Sequence, residues 1–305
     1  MLTSVCQKLI IFISLYRSFI SSTIISKREL KDPRTVLGEV LSFKANEAYN
    51  FYDEDYKSTH QVPFRDLRTL TEIPDFETYG FTYVTKRHVE GIETLKQLSD
   101  QHGAALKADS VKLVKDLTGA TSAVSYSNQF RHHTKRFSSQ TLPMIHSDLS
   151  TAGAKFMKGH LQERFLKSED PIEQEFGEHL SRGGEDVVIF NVWRPIQKVK
   201  DNPLGLCKWD SVSKEDQLNW KIRPDRQSNS IQVWDYKPTQ QWFYLSEQEP
   251  HEVYVFIQHD SRAEDGHGIS VPHASFRFEE DYKNQPKRMS FESRIIAIVP
   301  KKDNN

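Results

Sequence analysis

The chain has few cysteines, few glycines and almost no net charge. Its 305 residues include two cysteines, Cys6 and Cys207, which are too few for a disulfide framework or a cysteine-based zinc or iron–sulfur site. The 13 glycines form no G-x-G-x-x-G, G-x-x-x-x-G-K-[ST] or G-x-S-x-G motif, which argues against a Rossmann cofactor site, a P-loop and a serine-hydrolase elbow. With 41 basic and 42 acidic residues, the chain has no electrostatic basis for non-specific binding to nucleic acid or anionic membranes.

The N-terminus carries the longest apolar run. Residues 9–16 (LIIFISLY) are interrupted by Arg17, so the run is well below the roughly 20 apolar residues that span a bilayer. It has no A-x-A-like cleavage site of a signal peptide. An extension or a strand packed on the domain, a membrane anchor and a cleaved leader all stay open, and the expected location is the cytoplasm, with membrane association through this segment as the alternative.

The remaining sequence is rich in strand-like segments. Hydrophobic residues make up 37% of the chain and aromatic residues 11%, which indicates a globular protein. Residues 90–118 have apolar side chains at helical spacing, with a predicted break between two helices at Gly103 and a predicted end at Gly119. The predicted strands are 76–85, 124–126, 187–193, 231–236, 253–257, 274–278 and 294–299. Many strands after a short helical pair predict a mainly β barrel or jelly roll with helices outside it.

The first candidate for chemistry is the H-x-D motif of His146 and Asp148. On a strand, side chains two residues apart point to one face, so this pair could bind one metal ion. A second imidazole from a distant strand, His273, would complete the two-His-one-carboxylate triad of non-haem Fe(II) oxygenases. A hydrogen-bonded structural role for His146 is the alternative, and the H-x-E pair of His88 and Glu90 is a competing motif.

The C-terminal segment suggests a binding site for a dicarboxylic keto acid. His273 precedes an R-x-S motif, Arg288 and Ser290, and an arginine fork with a hydroxyl donor suits the far carboxylate of 2-oxoglutarate. If residues 288–294 form a strand, Glu292 and Arg294 share the face of Arg288 and Ser290. Such a polar stripe is costly in a dry core, so it predicts a polar cavity or a solvated edge strand. Arg288 is the preferred co-substrate ligand and Arg294 the alternative.

A family resemblance rests on several landmarks. Residues 191–196 read N-V-W-R-P-I, and this run resembles the fungal asaB-type hydroxylase/desaturase family, which is related to the cephalosporin methoxylation-associated protein and to gibberellin desaturases. Further matching landmarks are F-R-D-L-R at 64–68, Y-G-F at 79–81, H-D-S at 259–261, P-H at 272–273 and R-x-S-x-E-x-R at 288–294. The resemblance covers roughly residues 60–300.

The resemblance implies a double-stranded β-helix (jelly roll) with flanking helices and an Fe(II)- and 2-oxoglutarate-dependent oxidoreductase. His146, Asp148 and His273 would be the iron ligands, and Arg288 and Ser290 would bind 2-oxoglutarate. The expected reaction is hydroxylation or desaturation of a small secondary metabolite with molecular oxygen, with no nucleic-acid partner. The alternatives are a non-catalytic jelly-roll binding protein and a methyl-transfer enzyme that lacks the usual glycine-rich loop.

Three further residues are candidates for the substrate side of the site. Arg194 follows the apolar strand at residues 187–193 and precedes Pro195, so it could reach a substrate carboxylate, stabilise Asp210 or form a structural ion pair. Asn191 and Arg294 complete this set. The expected organisation is an apolar extension (1–26), an irregular arm (27–59), an oxygenase-like catalytic domain (60–300) and a polar tail (301–305).

Overall fold

Two facing β-sheets and three α-helices make up the described part of the protein. The computed structural model describes residues 35–43, 57–92, 100–132, 142–218, 223–263, 270–278 and 288–301. The strands are β1 (Thr35–Phe43), β2 (Lys57–Asp66), β3 (Phe81–Val84), β4 (Ser122–His132), β5 (His146–Ser147), β6 (Asp186–Pro195), β7 (Leu204–Cys207), β8 (Gln217–Leu218), β9 (Gln232–Trp234), β10 (Trp242–Tyr244), β11 (Val253–Asp260), β12 (His273–Ser275), β13 (Arg277–Phe278) and β14 (Met289–Val299). The helices are α1 (Asp100–Thr118), α2 (Thr151–Leu166) and α3 (Pro171–Arg182).

The sheets form the predicted double-stranded β-helix. One sheet has nine strands in the order β13-β1-β2-β10-β7-β12-β5-β9-β8, and the other has five in the order β3-β11-β6-β14-β4. Trp193 and Phe256 of the five-stranded sheet share a buried cluster with Leu206 and Phe243 of the nine-stranded sheet. Burial of these large side chains between the layers is the main favourable contribution to packing the sheets face to face. The predicted fold class is confirmed.

Strand alternation in β6 separates the helix-covered face of the five-stranded sheet from its inner face. Val188 and Phe190 pack against Leu113 of α1. Asn191 and Trp193 point the other way and line a cavity between the sheets. Because successive side chains of a strand lie on opposite faces, this single strand supplies both a helix-packing surface and a cavity wall.

Helices α2 and α3 cover the inner face of the same sheet beyond the cavity. Met157, Leu161 and Phe165 recur every four residues along α2 and pack in one cluster with Phe176 of α3 and Ile296 of β14. Neither helix was predicted from sequence, although α3 carries start signals: Asp170 caps its N-terminus and Pro171 occupies its first turn.

Three predicted segments differ from the structure. Within the arm predicted at 27–59, residues 35–43 form β1, which pairs with β2 and β13. The break predicted at Gly103 was wrong, because α1 continues through it, whereas Gly119 ends this helix with a φ of 66° and donates its N–H to Lys115. The strand predicted at 76–85 is shorter, since residues 76–79 form a turn before β3. The N-terminal extension lies outside the described residues, and no helix of the described part is long and apolar enough to cross a bilayer.

Replacement by alanine should change the free energy of unfolding in opposite directions at two glycines of α2. A Cβ on Gly153 would lie 2.0 Å from the backbone oxygen of Ser230, whereas nothing lies within 4 Å of a Cβ on Gly159. Gly153→Ala should therefore lower the free energy of unfolding by about 1–3 kcal/mol, and Gly159→Ala should raise it by about 0.5–1 kcal/mol. Urea denaturation of the two variants beside the wild type measures both values; equal effects would contradict the close docking of α2 on Ser230.

Candidate metal centre

Two histidines and one aspartate converge in the cavity between the sheets. His146 lies on β5 and pairs directly with His273 on β12, and their ring centroids are 4.3 Å apart. Asp148 follows β5. One ligand atom of each of the three side chains lies within 4.8 Å of the other two, and all three residues are buried. The competing pair His88 and Glu90 is not part of any such group in the described residues.

Backbone carbonyls select the tautomer of both imidazoles. The Nδ1 of His146 lies 2.7 Å from the carbonyl oxygen of Met144, and the Nδ1 of His273 lies 3.2 Å from that of Val271. Because a carbonyl can only accept, Nδ1 carries the hydrogen in each ring and Nε2 keeps its lone pair. Burial lowers the pKa of His146 to about 3 and also lowers the pKa of His273. Both rings are therefore neutral at physiological pH, as metal ligation requires.

The Asp148 carboxylate is ionised and held by several partners. Burial raises its pKa, but the positive charge of Arg294 and the hydrogen bond from Asn191 lower it, and the pKa lies well below its ordinary value. Arg294 donates to Oδ1 at 2.5 Å and Asn191 donates to Oδ2 at 2.9 Å. The backbone N–H of Asp148 donates to Gln258 Oε1 at 2.7 Å. The triad thus offers two neutral nitrogens and one anionic oxygen.

The cavity around the triad has a mixed polar and aromatic wall. Its volume is about 380 Å³ including its open mouth. The lining residues are Arg131, Leu142, His146, Asp148, Asn191, Trp193, Leu204, Phe256, His273, Ser275, Arg288 and Glu292. Both sheets contribute, so the site forms only when the two layers pack against each other.

Arg288 is a buried cation without a carboxylate partner among the described residues. Its guanidinium lies 5.2 Å from the centroid of the Trp193 ring, Nη1 donates to the carbonyl of Asn202, and Nε has no hydrogen-bond partner in the described structure. Burial lowers the pKa of Arg288 to about 9, which leaves it charged at neutral pH. An unpaired buried cation is costly, so this group is suited to an anionic ligand that enters the cavity.

Ser290 lies two residues after Arg288, near the start of β14. Its Oγ is buried and has no hydrogen-bond partner in the described structure, although Ser290 is not among the residues that line the cavity. Arg288 and Ser290 therefore present two unsatisfied polar groups on one strand face. The orphaned atoms fit a carboxylate, which accepts hydrogen bonds through both oxygens.

The structure separates the three substrate-side candidates. Asn191 lines the cavity and contacts Asp148. Arg294 is also turned to Asp148, on the inner side of the sheet. Arg194 lies on the opposite face, where its guanidinium pairs with Asp109 of α1 and donates to the carbonyl of Arg87.

Sequence reasoning did not single out two cavity residues. Ser275 lies two residues after His273 on β12, and its buried Oγ has no partner in the described structure. The H-x-S spacing was the available signal, because it puts both side chains on one strand face. Arg131 lines the cavity and forms an ion pair with Glu292 at 2.6 Å. That pair joins β4 to β14, and nothing in the sequence spacing indicates it.

Known proteins are similar to this chain, some over most of its length and one of those given below over about a third of it. The Fe(II)/2-oxoglutarate-dependent dioxygenase nvfI of Aspergillus novofumigatus is 25% identical over 259 residues, which are 78% of this chain and 83% of that protein. The hydroxylase/desaturase asaB of Aspergillus flavus is 30% identical over 123 residues, 36% of this chain and 54% of that protein. A solved structure of the iron and alpha-ketoglutarate-dependent endoperoxidase NvfI superposes with a TM-score of 0.68 at 22% identity, covering 88% of this chain and 100% of the other.

The family assignment rests on a match to a family model over residues 31–298. That model is described as an oxidoreductase/YMDC permease-like domain. The relatives confirm the resemblance to fungal asaB-type hydroxylase/desaturases. The chain belongs to the oxidoreductase/YMDC permease-like domain family, and the known proteins that it resembles include fungal Fe(II)/2-oxoglutarate-dependent oxygenases.

Proposed function

We propose that this protein is an Fe(II)- and 2-oxoglutarate-dependent oxidoreductase that hydroxylates or desaturates a small organic metabolite. The observation that carries the proposal is the convergence of His146, Asp148 and His273 in a cavity that also holds the unpaired cation Arg288. Two neutral imidazoles and one carboxylate with open positions are typical of non-haem Fe(II) oxygenases.

The residues divide into two groups by role. The Nε2 atoms of His146 and His273 and one oxygen of Asp148 would hold the iron, and the carbonyls of Met144 and Val271 orient the two rings. Arg288, with Ser290, would hold the distal carboxylate of 2-oxoglutarate. When bound, iron and the keto acid supply the oxygen activation that an unactivated C–H bond requires.

The apolar part of the cavity wall has a separate role. Leu142, Trp193, Leu204 and Phe256 line the space beside the triad. Apolar and aromatic walls exclude water and contact a hydrophobic portion of a small substrate. Fungal relatives named as hydroxylase/desaturases support hydroxylation or desaturation as the reaction, and one named as a gibberellin cluster GA4 desaturase supports a secondary metabolite as the substrate class. The alternatives of a non-catalytic binding protein and a methyl-transfer enzyme receive no support from the relatives.

Anaerobic metal and co-substrate binding tests the proposal without knowledge of the substrate. The purified protein should bind one Fe(II) per chain, and a visible charge-transfer absorption should develop only when Fe(II) and 2-oxoglutarate are both present. Admission of oxygen should then convert 2-oxoglutarate to succinate, even if slowly, in proportion to the loaded protein. Absence of stoichiometric Fe(II) binding would instead support the non-catalytic binding protein.

A further inference from the structure

Asn202 has a backbone conformation that residues other than glycine rarely adopt. Its φ is 50°, its side chain is buried, and it directly precedes Pro203. A positive φ brings Cβ close to the following carbonyl oxygen, and a proline restricts the residue before it further. Such conformations persist only where the surrounding structure enforces them, and they cluster at active sites and ligand clamps. The position of Asn202 in the fold therefore calls for an explanation.

The backbone carbonyl of Asn202 is the only hydrogen-bond acceptor that Arg288 meets in the described structure. Nη1 of Arg288 donates to this carbonyl, whereas Nε has no acceptor. The guanidinium also lies over the Trp193 ring, 5.2 Å from its centroid. These two contacts hold the guanidinium by one nitrogen and by one face. The Nε side of the fork is left for a ligand, and arginine forks pair with carboxylates through two parallel hydrogen bonds.

The segment that contains Asn202 is anchored on both sides. The backbone N–H of Val199 donates to the carbonyl of Gln248 at 2.9 Å. The carbonyl of Pro203 accepts a hydrogen bond from the N–H of Phe276 at 3.2 Å. Strand β7 follows directly and pairs with β12, the strand that carries His273. The Asn202 carbonyl is thus fixed relative to one of the three candidate metal ligands.

We propose that Asn202 is a positioning residue that holds Arg288 at a fixed place relative to the metal site. A keto acid chelated at one end and bound by a cation at the other gains affinity when that cation is ordered before binding. The inference rests on the proposed function, since it assigns a second determinant of 2-oxoglutarate binding at the same site. Asn202 acts through Arg288, and it does so with its backbone carbonyl, so its backbone conformation carries the role.

The test is calorimetric binding of 2-oxoglutarate to the Co(II)-loaded protein without oxygen. In Asn202→Val a β-branched side chain opposes the positive φ, so the carbonyl should turn away from Arg288. The affinity for 2-oxoglutarate should fall by about threefold to tenfold, the effect of one hydrogen bond. Asn202→Gly adopts a positive φ freely and should keep the wild-type affinity.

A second keto acid distinguishes positioning of Arg288 from general damage. 2-Oxobutyrate has the chelating end of 2-oxoglutarate but no distal carboxylate, so Asn202→Val and the wild type should bind it equally. A purely structural role of Asn202 would weaken the binding of both keto acids together. Lys86→Val is the matched control, because Lys86 has a φ of 57°, is exposed and lies outside the cavity lining. This control should retain the wild-type affinity for both keto acids.

A milder variant covers the case in which Asn202→Val does not fold. Asn202→Ala also disfavours the positive φ and should produce a smaller loss of 2-oxoglutarate affinity in the same direction. Added to Arg288→Ala, it should cause no further loss, because residues that act through one contact are not additive. Independent, additive losses in the double variant would contradict action through Arg288.

The outcomes separate this inference from the proposed function. If the wild-type protein shows no preference for 2-oxoglutarate over 2-oxobutyrate, the proposed role of Arg288 fails and the inference with it. If the wild type has this preference, the positioning role alone is overturned by an unchanged preference in the folded Asn202→Val or Asn202→Ala variant. An equal loss in Asn202→Gly would also overturn it. Selective loss of 2-oxoglutarate affinity in Asn202→Val, with retention in Asn202→Gly, supports it.

Discussion

His273→Ala should abolish stoichiometric Fe(II) binding, whereas His88→Ala should leave it intact. His273 supplies one of three ligand atoms that lie within 4.8 Å of one another, and the other two come from a single short segment. Loss of an outer-shell partner of a metal ligand already costs roughly 10–100-fold in affinity, so loss of a ligand should cost more than about 100-fold. Anaerobic titration with Fe(II), followed by metal analysis after gel filtration, measures the difference.

The control and the contrary outcome use the same titration. His88 belongs to the competing H-x-E motif and stacks on His251 at a centroid distance of 4.9 Å, apart from the triad. Because His273 packs against Phe256, His273→Gln is the second variant, and it keeps more of the buried volume. Thermal unfolding of both variants verifies that they fold. Wild-type Fe(II) affinity in a folded His273 variant would remove the triad from the proposal.

Arg288→Ala should weaken 2-oxoglutarate binding by one to two orders of magnitude while metal affinity stays unchanged. A hydrogen bond to a charged group contributes on the order of 1.5–3 kcal/mol, which corresponds to about 10–100-fold in Kd. Arg288 is 4% exposed and forms no ion pair among the described residues; its guanidinium donates to the carbonyl of Asn202, so its loss breaks no direct contact with a carboxylate. Calorimetry of the metal-loaded protein measures this affinity.

A matched keto acid distinguishes recognition of the distal carboxylate from general damage to the site. 2-Oxobutyrate keeps the chelating end of 2-oxoglutarate and lacks the far carboxylate. Wild-type protein should strongly prefer 2-oxoglutarate, and Arg288→Ala should lose this preference while binding 2-oxobutyrate as the wild type does. An undiminished preference in Arg288→Ala would contradict the assignment, and the role of Ser290 would then be tested with Ser290→Ala.

Local spacing in the sequence was sufficient to predict two pairs of candidate ligands. His146 and Asp148 are two residues apart, and Arg288 and Ser290 have the same spacing, so strand alternation alone predicts which side chains share a face. The strand-rich pattern also predicts the fold class. The strand-rich pattern did not indicate helices α2 and α3, although the Asp170-Pro171 start signal of α3 was present.

The convergence of the ligands and the different partners of the two arginines depend on which strands lie next to each other in the folded sheets. Asp148 and His273 are far apart in sequence, and only the β5–β12 pairing brings His146 beside His273. Arg288, which precedes β14, and Arg294 of β14 could not be told apart from sequence, because the predicted strand at 288–294 puts both on one face. The β14–β6 register places Arg294 opposite Asn191 and within reach of Asp148, whereas Arg288 forms no ion pair among the described residues.

Residue types and spacing by themselves predicted a mainly β fold, a His146–Asp148 pair on one strand face with His273 as a distant candidate, and an arginine-serine pair suited to a carboxylate. The tertiary structure decided which of the three candidate arginines forms an ion pair with a carboxylate and which one remains available to a ligand. Arg194 is buried behind the sheet with Asp109, Arg294 is bound to Asp148, and Arg288 faces the cavity. The physical reason is that strand alternation assigns a side chain to a face, while the charge it meets there comes from other strands and helices, whose positions depend on long-range packing.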